Sequence, residues 1–280
     1  MNTATQFPPI IITGGAAGIG YALAEAFVHA GYPVAIIDLA KNSAAAADRL
    51  AAKAGVKAIG LVADVTDPVA CLAAHAEIVA ALGPIGVLIN NAGTLVPQKG
   101  WVEEIPNQDY QQIMAVHVDG AVNWCRLVMP NMRSAKFGRI INISSANGVK
   151  AVPHRFAYVT AKKALLGLTE ALALDCARAG ITVNAIAPGY ILTDRLKERV
   201  GQGMINHEAI AEHTPVGRWG QTEDIAHMAL FLANPASSYI TGTTMCVDGG
   251  LTIRGDPGED INFSPFAPFH PNNNEAFPPQ

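Results

Sequence analysis

Short apolar segments alternate with helical segments along most of this chain, and this alternation restricts the fold more than any other feature. The apolar segments are "PIIITG", "PVAIID", "KAIGLVAD", "VLINNAG", "RIINISS" and "ITVNAIAPG". They have too little polar alternation for half-exposed strands and suit strands that are covered on both faces. Helices are predicted between them, the first by the helical spacing of Ile19, Leu23 and Phe27, and the others at about 43–54, 67–82, 108–133 and 157–179. Repeated strand–helix units predict right-handed crossovers and a doubly wound parallel sheet with helices on both faces.

The pattern runs without a linker from residue 1 to residue 254, which we therefore predict to be one α/β domain. Residues 255–280, "GDPGEDINFSPFAPFHPNNNEAFPPQ", form a different kind of segment, rich in Pro, Asn and Phe. Its prolines exclude a regular helix or a central strand. Such composition is typical of a disordered tail, but its phenylalanines could each bury a large apolar area against a partner. We predict that this extension packs in extended form over its own or a neighbouring subunit.

Charge and cysteine content restrict the partners and the compartment. Nineteen basic and 23 acidic residues leave a net charge of −4 without a basic run, which excludes nucleic acid and an anionic membrane surface as expected partners. No apolar run reaches membrane-spanning length, and the start "MNTATQFPP" lacks the regions of a secretory signal. The four cysteines are scattered and the histidines are dispersed, so we expect reduced thiols, no metal site and a cytoplasmic location.

Polar or turn-forming residues stand at the carboxyl end of each predicted strand. These ends are Thr13-Gly14-Gly15, Asp38, Asp64, Asn90-Asn91, Ser144-Ser145 and Pro188-Gly189. In doubly wound sheets, ligands bind beyond the carboxyl ends of the strands. The sequence therefore predicts a polar ligand along this edge of the sheet.

The first of these ends is a glycine-rich loop, "TGGAAGIG" (13–20), between a strand and a helix. Such a loop lets a pyrophosphate approach the amide groups at the amino end of the helix. Its spacing is not GxGxxG, so the loop alone is a weak signal. Asp38 ends the next strand 18 residues after Gly20, where a carboxylate accepts both ribose hydroxyls and would repel a 2′-phosphate. Ala17 provides no positive charge that could bind a 2′-phosphate, and Lys41 is the only basic residue nearby. We therefore predict NAD and not NADP as the cofactor.

A tyrosine and a lysine share one helical face in "FAYVTAKKA", because Tyr158 and Lys162 are four residues apart. On spacing alone they are ordinary helix-face residues. Both titrate near pH ~10 when free, so neither is a neutral-pH base unaided. A nearby ammonium favours tyrosinate, and a tyrosine tuned in this way can take a proton from an alcohol.

The motifs as an ordered set resemble the short-chain dehydrogenase/reductase family. The matching motifs are "TGGAAGIG", "DV" (64–65), "NNAG" (90–93), "NISS" (142–145), "YVTAK" (158–162), "NAIAPG" (184–189) and "VDGG" (247–250), which span the chain from about residue 8 to 254. The resemblance implies a Rossmann-type, seven-stranded sheet. It also implies a homo-oligomer, dimer or tetramer, that oxidises secondary alcohols or reduces ketones with a nicotinamide cofactor.

The resemblance implies a role for individual residues. Tyr158 would be the general acid/base, Lys162 would lower its pKa and bind the nicotinamide ribose, and Ser145 would hold the substrate oxygen. Ser144 is the neighbouring alternative, but a separation of 13 residues from Tyr158 favours Ser145. The expected cofactor-binding residues are Gly14, Gly18, Ile19, Gly20, Asp38, Asp64, Val65, Asn91, Gly93, Tyr158, Lys162, Pro188, Gly189, Ile191 and Thr193. Asn184 is expected to hold strands together and not to contact the ligand.

One residue departs from the family pattern. The family carries an asparagine in a "VNxxG" context, where it helps to hold water for a proton relay, and this chain has "VHVDG" with His117 in that place. An imidazole titrates near neutrality and could anchor a water or shuttle a proton. The alternative is that His117 is a tolerated replacement without a role in the relay.

The substrate stays open at the level of sequence. The pocket is expected to be walled by Thr94 to Val96, Ala146, Asn147, the loop "VPHRFA" (152–157) and the segment from Gly189 to about His213. His154 and Arg155 could meet a polar or anionic substrate, although exposed loop residues are more often solvated. A second function class, a catalytically impaired NAD-binding protein of the same fold, rests on His117 alone.

Overall fold

A computed structural model gives the structure of residues 7–94 and 100–254. The strands are β1 (Ile10–Thr13), β2 (Val34–Asp38), β3 (Ala58–Val62), β4 (Val87–Asn90), β5 (Gly138–Ile143), β6 (Ile181–Pro188) and β7 (Thr244–Val247). The helices are α1 (Gly18–His29), α2 (Ser43–Ala54), α3 (Pro68–Leu82), α4 (Asn107–Met114), α5 (Gly120–Ala135), α6 (Ala146–Val149), α7 (Phe156–Cys176), α8 (Asp194–Gly201), α9 (His207–His213) and α10 (Thr222–Ala233). The extension 255–280, for which the sequence predicts extended packing, lies outside the described residues, as does part of the predicted pocket wall at 95–96.

The strands form one seven-stranded parallel sheet in the order β3-β2-β1-β4-β5-β6-β7. This confirms the predicted doubly wound α/β fold. Ile10 of β1 is in register with Val34 of β2 on one side and with Val87 of β4 on the other. The strand order reverses between β1 and β4, which is the point where such sheets open a crevice for a ligand.

Burial explains why the apolar segments form central strands. Every residue of β1, β4, β5 and β6 is buried. The expected two-sided burial is wrong for β3, where Val62 is 57% exposed, because β3 is the edge strand beyond β2. The other edge strand, β7, is partly exposed and has no long apolar run, so periodicity alone did not indicate it.

The helices cover the sheet in two layers. On one face Leu23 and Phe27 of α1 pack with Leu232 of α10 in one apolar core. On the other face Trp124 of α5 packs with Ile78 of α3 in a second core. Each layer packs a separate set of apolar side chains against one face of the sheet. The central strands are therefore shielded from solvent on both faces, and the edge strands are partly exposed.

The helix predicted at 108–133 is continuous but irregular. α4 and α5 are joined by a π-helical segment, Ala115–Asp119, which contains His117. Single-turn π segments of this kind are rare and occur frequently at functional sites. Here the segment turns His117 towards α7. Ile113 of α4 packs with Ala157 of α7 in a small apolar cluster.

Two absences can be stated for the part of the chain that the structure describes. None of the helices within 7–94 and 100–254 is long and apolar enough to cross a membrane. In the same residues, no group of three His, Cys, Asp or Glu side chains is placed so that it could hold a metal ion.

Candidate active site

The loop between β1 and α1 is shaped to receive an anion. Gly18, the first residue of α1, has a φ of +54°, and a Cβ on Gly20 would collide with the carbonyl oxygen of Gly14, so neither position suits a side chain. Ala17 at the N-cap makes no side-chain capping hydrogen bond, and the first turn of α1 has no acidic residue. Amide groups at an uncapped helix start favour a negative ligand group, and the loop therefore fits a pyrophosphate.

Asn91 and Thr13 hold this loop from the neighbouring strand ends. The Asn91 side-chain amide donates hydrogen bonds to the carbonyl oxygens of Thr13 (2.9 Å) and Gly14 (3.0 Å). The backbone amide of Asn91 donates to the Thr13 hydroxyl at 3.0 Å. The structure thus gives Asn91 a supporting contact with the glycine loop, while its predicted contact with the adenosine ribose stays a prediction.

Asp38 lies beside the same loop at the end of β2. Its carboxylate accepts hydrogen bonds from the backbone amides of Ala16 and Ala40, each at 3.0 Å. Lys41, the only nearby cation that the sequence suggested, is exposed. The Asp38 carboxylate is therefore fixed against the glycine loop, while its predicted selection of a ribose with a free 2′-hydroxyl stays a prediction.

Asp64 and Val65 follow β3 and are tied to their surroundings. The Asp64 carboxylate accepts hydrogen bonds from the amide and the hydroxyl of Thr66, both at 2.8 Å. Val65 is 7% exposed, and its carbonyl accepts a hydrogen bond from Asn123 of α5 at 3.0 Å. These contacts hold the end of β3 close to the helix that leads from the π segment.

The residues after β6 lie opposite the glycine loop. A Cβ on Gly18 would stand 3.6 Å from the Thr193 methyl group, so the starts of α1 and α8 face each other. Gly189 donates a backbone hydrogen bond to Val247 at 3.0 Å, and Ile191 is 4% exposed. The structure thus brings the glycine loop and the predicted cofactor residues at 189–193 to opposite sides of one crevice. The second side of the crevice is formed by residues that are distant in sequence from the loop.

Ser145 and Tyr158 meet at the carboxyl end of β5. Tyr158 lies in the first turn of α7, and hydrogen bonding by the Ser145 hydroxyl stabilises the phenolate. The Arg155 guanidinium acts in the same direction, but removal of the phenol from water outweighs both effects and raises the pKa of Tyr158. Both side chains line one cavity. The arrangement places a proton donor or acceptor and a hydrogen-bonding hydroxyl where a carbonyl or alcohol oxygen can be held.

Lys162 lies one turn further along α7 and is 4% exposed. Its ammonium donates a hydrogen bond to the Ile143 carbonyl at 2.8 Å and stands 5.7 Å from the centre of the Tyr158 ring. Burial lowers the pKa of Lys162 to about 7. The sequence predicts that Lys162 lowers the pKa of Tyr158, but the net shift of Tyr158 in this structure is upward. The effect in the cofactor-loaded enzyme stays a prediction.

A buried polar network that the sequence did not indicate positions α7. Ser144, the alternative to Ser145, is 3% exposed, and its hydroxyl donates to the Lys162 carbonyl at 2.8 Å. Asn142 of β5 donates to the Thr169 hydroxyl at 2.9 Å. Ser144 therefore acts on the backbone of α7 and has no free hydroxyl proton for the cavity. Asn184 behaves as expected and bonds the backbone of residues 240 and 243.

His117 is buried beside the catalytic candidates. Its ring is 5.7 Å from the Tyr158 ring, centre to centre, and a Cβ on Gly93 would stand 2.9 Å from its Cε1 atom. Neither ring nitrogen has a hydrogen-bond partner among residues 7–94 and 100–254. Burial, with the charge of Lys162, lowers the pKa of His117 to about 2. The expectation that this imidazole titrates near neutrality is therefore wrong, because the sequence does not reveal its burial.

We expect His117→Asn to make the protein less sensitive to acid. The unfolded imidazole protonates below pH ~6.5, but the folded one protonates only near pH 2, because burial lowers its pKa to about 2. Between these values the unfolded state binds more protons, so the free energy of unfolding decreases by up to about 1.4 kcal/mol for each pH unit by which the pH falls.

The free energy of unfolding in urea, measured at about pH 7 and about pH 5, should differ less for His117→Asn than for the unmodified protein. His29→Asn, at an exposed histidine of α1, is the control. Equal acid sensitivity of the unmodified protein and His117→Asn would contradict a buried neutral imidazole.

Comparison with known proteins agrees with this geometry. Residues 14–252 match a family model described as enoyl-(acyl carrier protein) reductase. An acetoacetyl-CoA reductase from Paracoccus denitrificans is 38% identical over 84% of this chain and 93% of that protein. A galactitol 2-dehydrogenase (L-tagatose-forming) from Cereibacter sphaeroides is 39% identical over 86% of this chain and 94% of that protein. The crystal structure of a gluconate 5-dehydrogenase from Burkholderia cenocepacia, in complex with NADP and tartrate, superposes with a TM-score of 0.82 at 34% identity and covers 89% of this chain and 96% of that one.

Proposed function

The chain belongs to the short-chain dehydrogenase/reductase family of oxidoreductases, and from this premise we propose that it transfers a hydride between a secondary alcohol, or its ketone, and NAD. The observation that carries the proposal is the joint position of Ser145 and Tyr158 on one cavity, with Lys162 buried 5.7 Å from the Tyr158 ring. In this arrangement the Ser145 hydroxyl can hold the oxygen of a ketone by a hydrogen bond. The Tyr158 phenol, next to the Lys162 ammonium, can supply the proton that reduction of the ketone requires.

The proposed roles follow from these positions. Ser145 holds the substrate oxygen, and Tyr158 takes the alcohol proton on oxidation or returns it on reduction. Lys162 stabilises the tyrosinate form by its charge, and it binds the nicotinamide ribose. NAD held by these residues would supply the hydride acceptor for oxidation, and NADH would supply the hydride for reduction. Neither ring nitrogen of His117 has a hydrogen-bond partner within residues 7–94 and 100–254. If His117 anchors a relay water, it does so as a neutral imidazole.

The residues present fit a dinucleotide, and Asp38 supports NAD. The glycine loop leaves uncapped amides for the pyrophosphate. The carboxylate of Asp38, held against that loop by Ala16, repels a 2′-phosphate. The gluconate 5-dehydrogenase named above was crystallised with NADP, so membership of the family does not by itself select NAD. The proposal for NAD therefore rests on the side chain of Asp38 in this chain.

The relatives support a secondary alcohol or ketone as the reacting group. Their names describe reduction of a ketone in acetoacetyl-CoA, oxidation of galactitol at position 2 to a keto sugar and oxidation of gluconate at position 5. These substrates share a carbinol or carbonyl carbon within a chain and differ in the rest of the molecule. The class of reaction is thus better supported than any single substrate.

A substrate panel tests the proposal. Purified protein should form NADH from NAD with at least one secondary alcohol in a panel of polyols, hydroxy acids and cyclic alcohols, followed by NADH absorbance. The reverse reaction with the matching ketone should consume NADH. If NAD binds but no alcohol or ketone in the panel reacts, the alternative, a catalytically impaired NAD-binding protein, replaces this proposal.

We further propose a cytoplasmic homo-oligomer, either a dimer or a tetramer. The support is the family resemblance together with large apolar side chains on the outside of the subunit, where Leu174 is 85% and Ile253 is 86% exposed. Such side chains would lose their contact with water at a subunit interface.

A further inference from the structure

The cavity that contains Ser145 and Tyr158 has a volume of about 490 Å³, within the usual range for small-molecule sites. Its far wall consists of α8, α9 and the chain between them, which contribute Leu196, Ile205 and Ile210. Trp219 closes this wall from behind, 2% exposed, with its indole N–H donating to the His207 carbonyl at 3.0 Å. The segment after Gly189, which the sequence predicts as part of the pocket wall, thus lines the cavity with apolar side chains and packs with the buried Trp219.

Two arginines interrupt this apolar surface. Arg155 and Arg199 both line the cavity, and both side chains are half-buried. Neither guanidinium has a hydrogen bond or ion pair with any residue of the described segments 7–94 and 100–254, where the salt bridges are Lys53–Glu25, Lys197–Asp194 and Arg218–Asp224. None of the described residues that line the cavity is acidic. Within the part of the chain that the structure describes, the cavity therefore has two positive charges without an acidic partner.

Arg155 is held close to the reacting oxygen. It directly precedes α7, and its charge acts on the Tyr158 phenol. The residue before it, His154, has a φ of +58°, a conformation that is uncommon for a residue other than glycine. The His154 ring packs edge-on against Trp101 with centres 4.7 Å apart, and the His154 carbonyl accepts a hydrogen bond from Gly100 at 3.3 Å. The loop is thus fixed in a conformation that places Arg155 at the cavity.

Arg199 reaches the cavity from the inner face of α8. It lies one turn after Leu196, and the two share that face. The other basic residues of the helix, Arg195 and Lys197, are exposed on the outer face, and Lys197 is paired with Asp194 at 3.0 Å. Arg199 is thus the basic residue of α8 that lines the cavity, where its half-buried charge has less contact with water than the charges on the outer face.

An anion in the cavity would neutralise both groups. We propose that the substrate carries a carboxylate near its alcohol or ketone carbon, which Arg155 and Arg199 bind while the apolar wall contacts an aliphatic part of the molecule; this inference rests on the proposed function. A guanidinium matches the two oxygens of a carboxylate with parallel hydrogen bonds. The substrate class is then that of hydroxy acids and keto acids, and a neutral polyol or cyclic alcohol is a poor substrate.

Keto acids and their amides provide a matched test. Acetoacetate and levulinate are compared with acetoacetamide and levulinamide, because the amide keeps the shape and removes the charge. With NADH as cofactor, kcat/KM should be about 10- to 100-fold higher for each acid, as expected for hydrogen bonds to a charged group. Acetoacetyl-CoA serves as an additional probe, since its charges are remote from the ketone.

Variants assign the preference to the two arginines. Arg155→Met and Arg199→Met keep much of the apolar stem and should each reduce the acid-to-amide ratio of kcat/KM by about 10-fold or more. Any effect of a substitution that is the same for the acid and the amide cancels in this ratio of kcat/KM values. Arg195→Met, which makes the same change on the exposed face of α8, should leave the ratio unchanged.

A binding measurement separates this inference from the proposed function. Calorimetry of the enzyme–NADH complex with malonate, malonamide and inorganic phosphate requires no turnover. Malonate should bind most tightly and lose this advantage in both arginine variants. If no ketone is reduced but malonate behaves in this way, hydride transfer is wrong and the carboxylate site stands.

Other outcomes overturn the inference and leave the proposed function intact. Ketones that react equally well as acid and as amide, or acetoacetyl-CoA preferred over acetoacetate, would show that no carboxylate is recognised beside the reacting carbon. Phosphate bound as tightly as malonate would show a site for another anion. An increased Kd for NADH in the arginine variants, with an unchanged acid-to-amide ratio, would assign the guanidiniums to the cofactor.

Discussion

Tyr158→Phe is expected to lower kcat by about 10²–10⁴-fold, the usual contribution of general acid–base catalysis, while the Kd for NAD changes little. The substitution removes the hydroxyl that exchanges the proton with the substrate oxygen and keeps the ring that packs edge-on against His117 at 5.7 Å. The two effects are separated by steady-state rates with the best alcohol of the panel and by fluorescence titration of NADH.

Tyr110→Phe is the matched control. Tyr110 lies on α4 and stacks on Phe156 with ring centres 5.8 Å apart, so its hydroxyl is lost close to α7 but outside the cavity lining. We expect its kcat to remain close to that of the unmodified enzyme, because the substitution keeps the stacked ring and removes a hydroxyl that does not line the cavity. Turnover of Tyr158→Phe close to that of the control would remove Tyr158 from the mechanism.

Asp38 is expected to make NAD the preferred cofactor by at least about 10-fold in kcat/KM, because NADP lacks the 2′-hydroxyl, whose hydrogen bond to a carboxylate contributes about 1.5–3 kcal/mol, and its 2′-phosphate is repelled by the same carboxylate. Asp38→Ala should reduce this preference strongly. Because the same carboxylate accepts a hydrogen bond from Ala16 at 3.0 Å, Asp38→Ala should also weaken binding of both cofactors by loosening the glycine loop.

Asp38→Asn separates these two contributions. It keeps an oxygen that can accept from Ala16 and removes the charge, so NADP should improve while the loop is retained. Asp48→Asn, at an exposed position of α2, makes the same change in net charge away from the loop and should leave the preference unchanged. Equal kcat/KM values for NAD and NADP in the unmodified protein would refute this interpretation of Asp38.

Much of the crevice was predictable because parallel strands bring their carboxyl ends to one edge. The residues that end β1, β2 and β4 needed no tertiary information to be grouped, since the strand–helix alternation already placed Gly14, Asp38 and Asn91 on the same side. The pairing of Tyr158 with Lys162 followed from helix geometry in the same way. What could not be read from these local patterns was the environment of each side chain.

His117 and Arg199 illustrate this limit. His117 stands in a helical stretch where a polar face was equally plausible, and only the π segment and the packing against α7 bury it to 4% exposure. Arg199 belongs to the charged segment "DRLKER" (194–199), and only the folded structure shows that it lines the same cavity as Tyr158. The exposure of β3 depends likewise on the strand order, which places it at the edge.

By itself, the sequence determined six of the seven strands, the doubly wound sheet and the identity of the loop and strand-end residues, because these depend on hydrophobic periodicity and on short-range geometry. The tertiary structure alone decided which ionisable groups are desolvated and which charges remain unpaired. The physical reason is that a pKa and an ion pair depend on the burial and separation of groups that are distant in sequence. His117 comes from the segment between α4 and α5 and Lys162 from α7, and the charge of Lys162 acts on His117 only because the fold brings these two segments together.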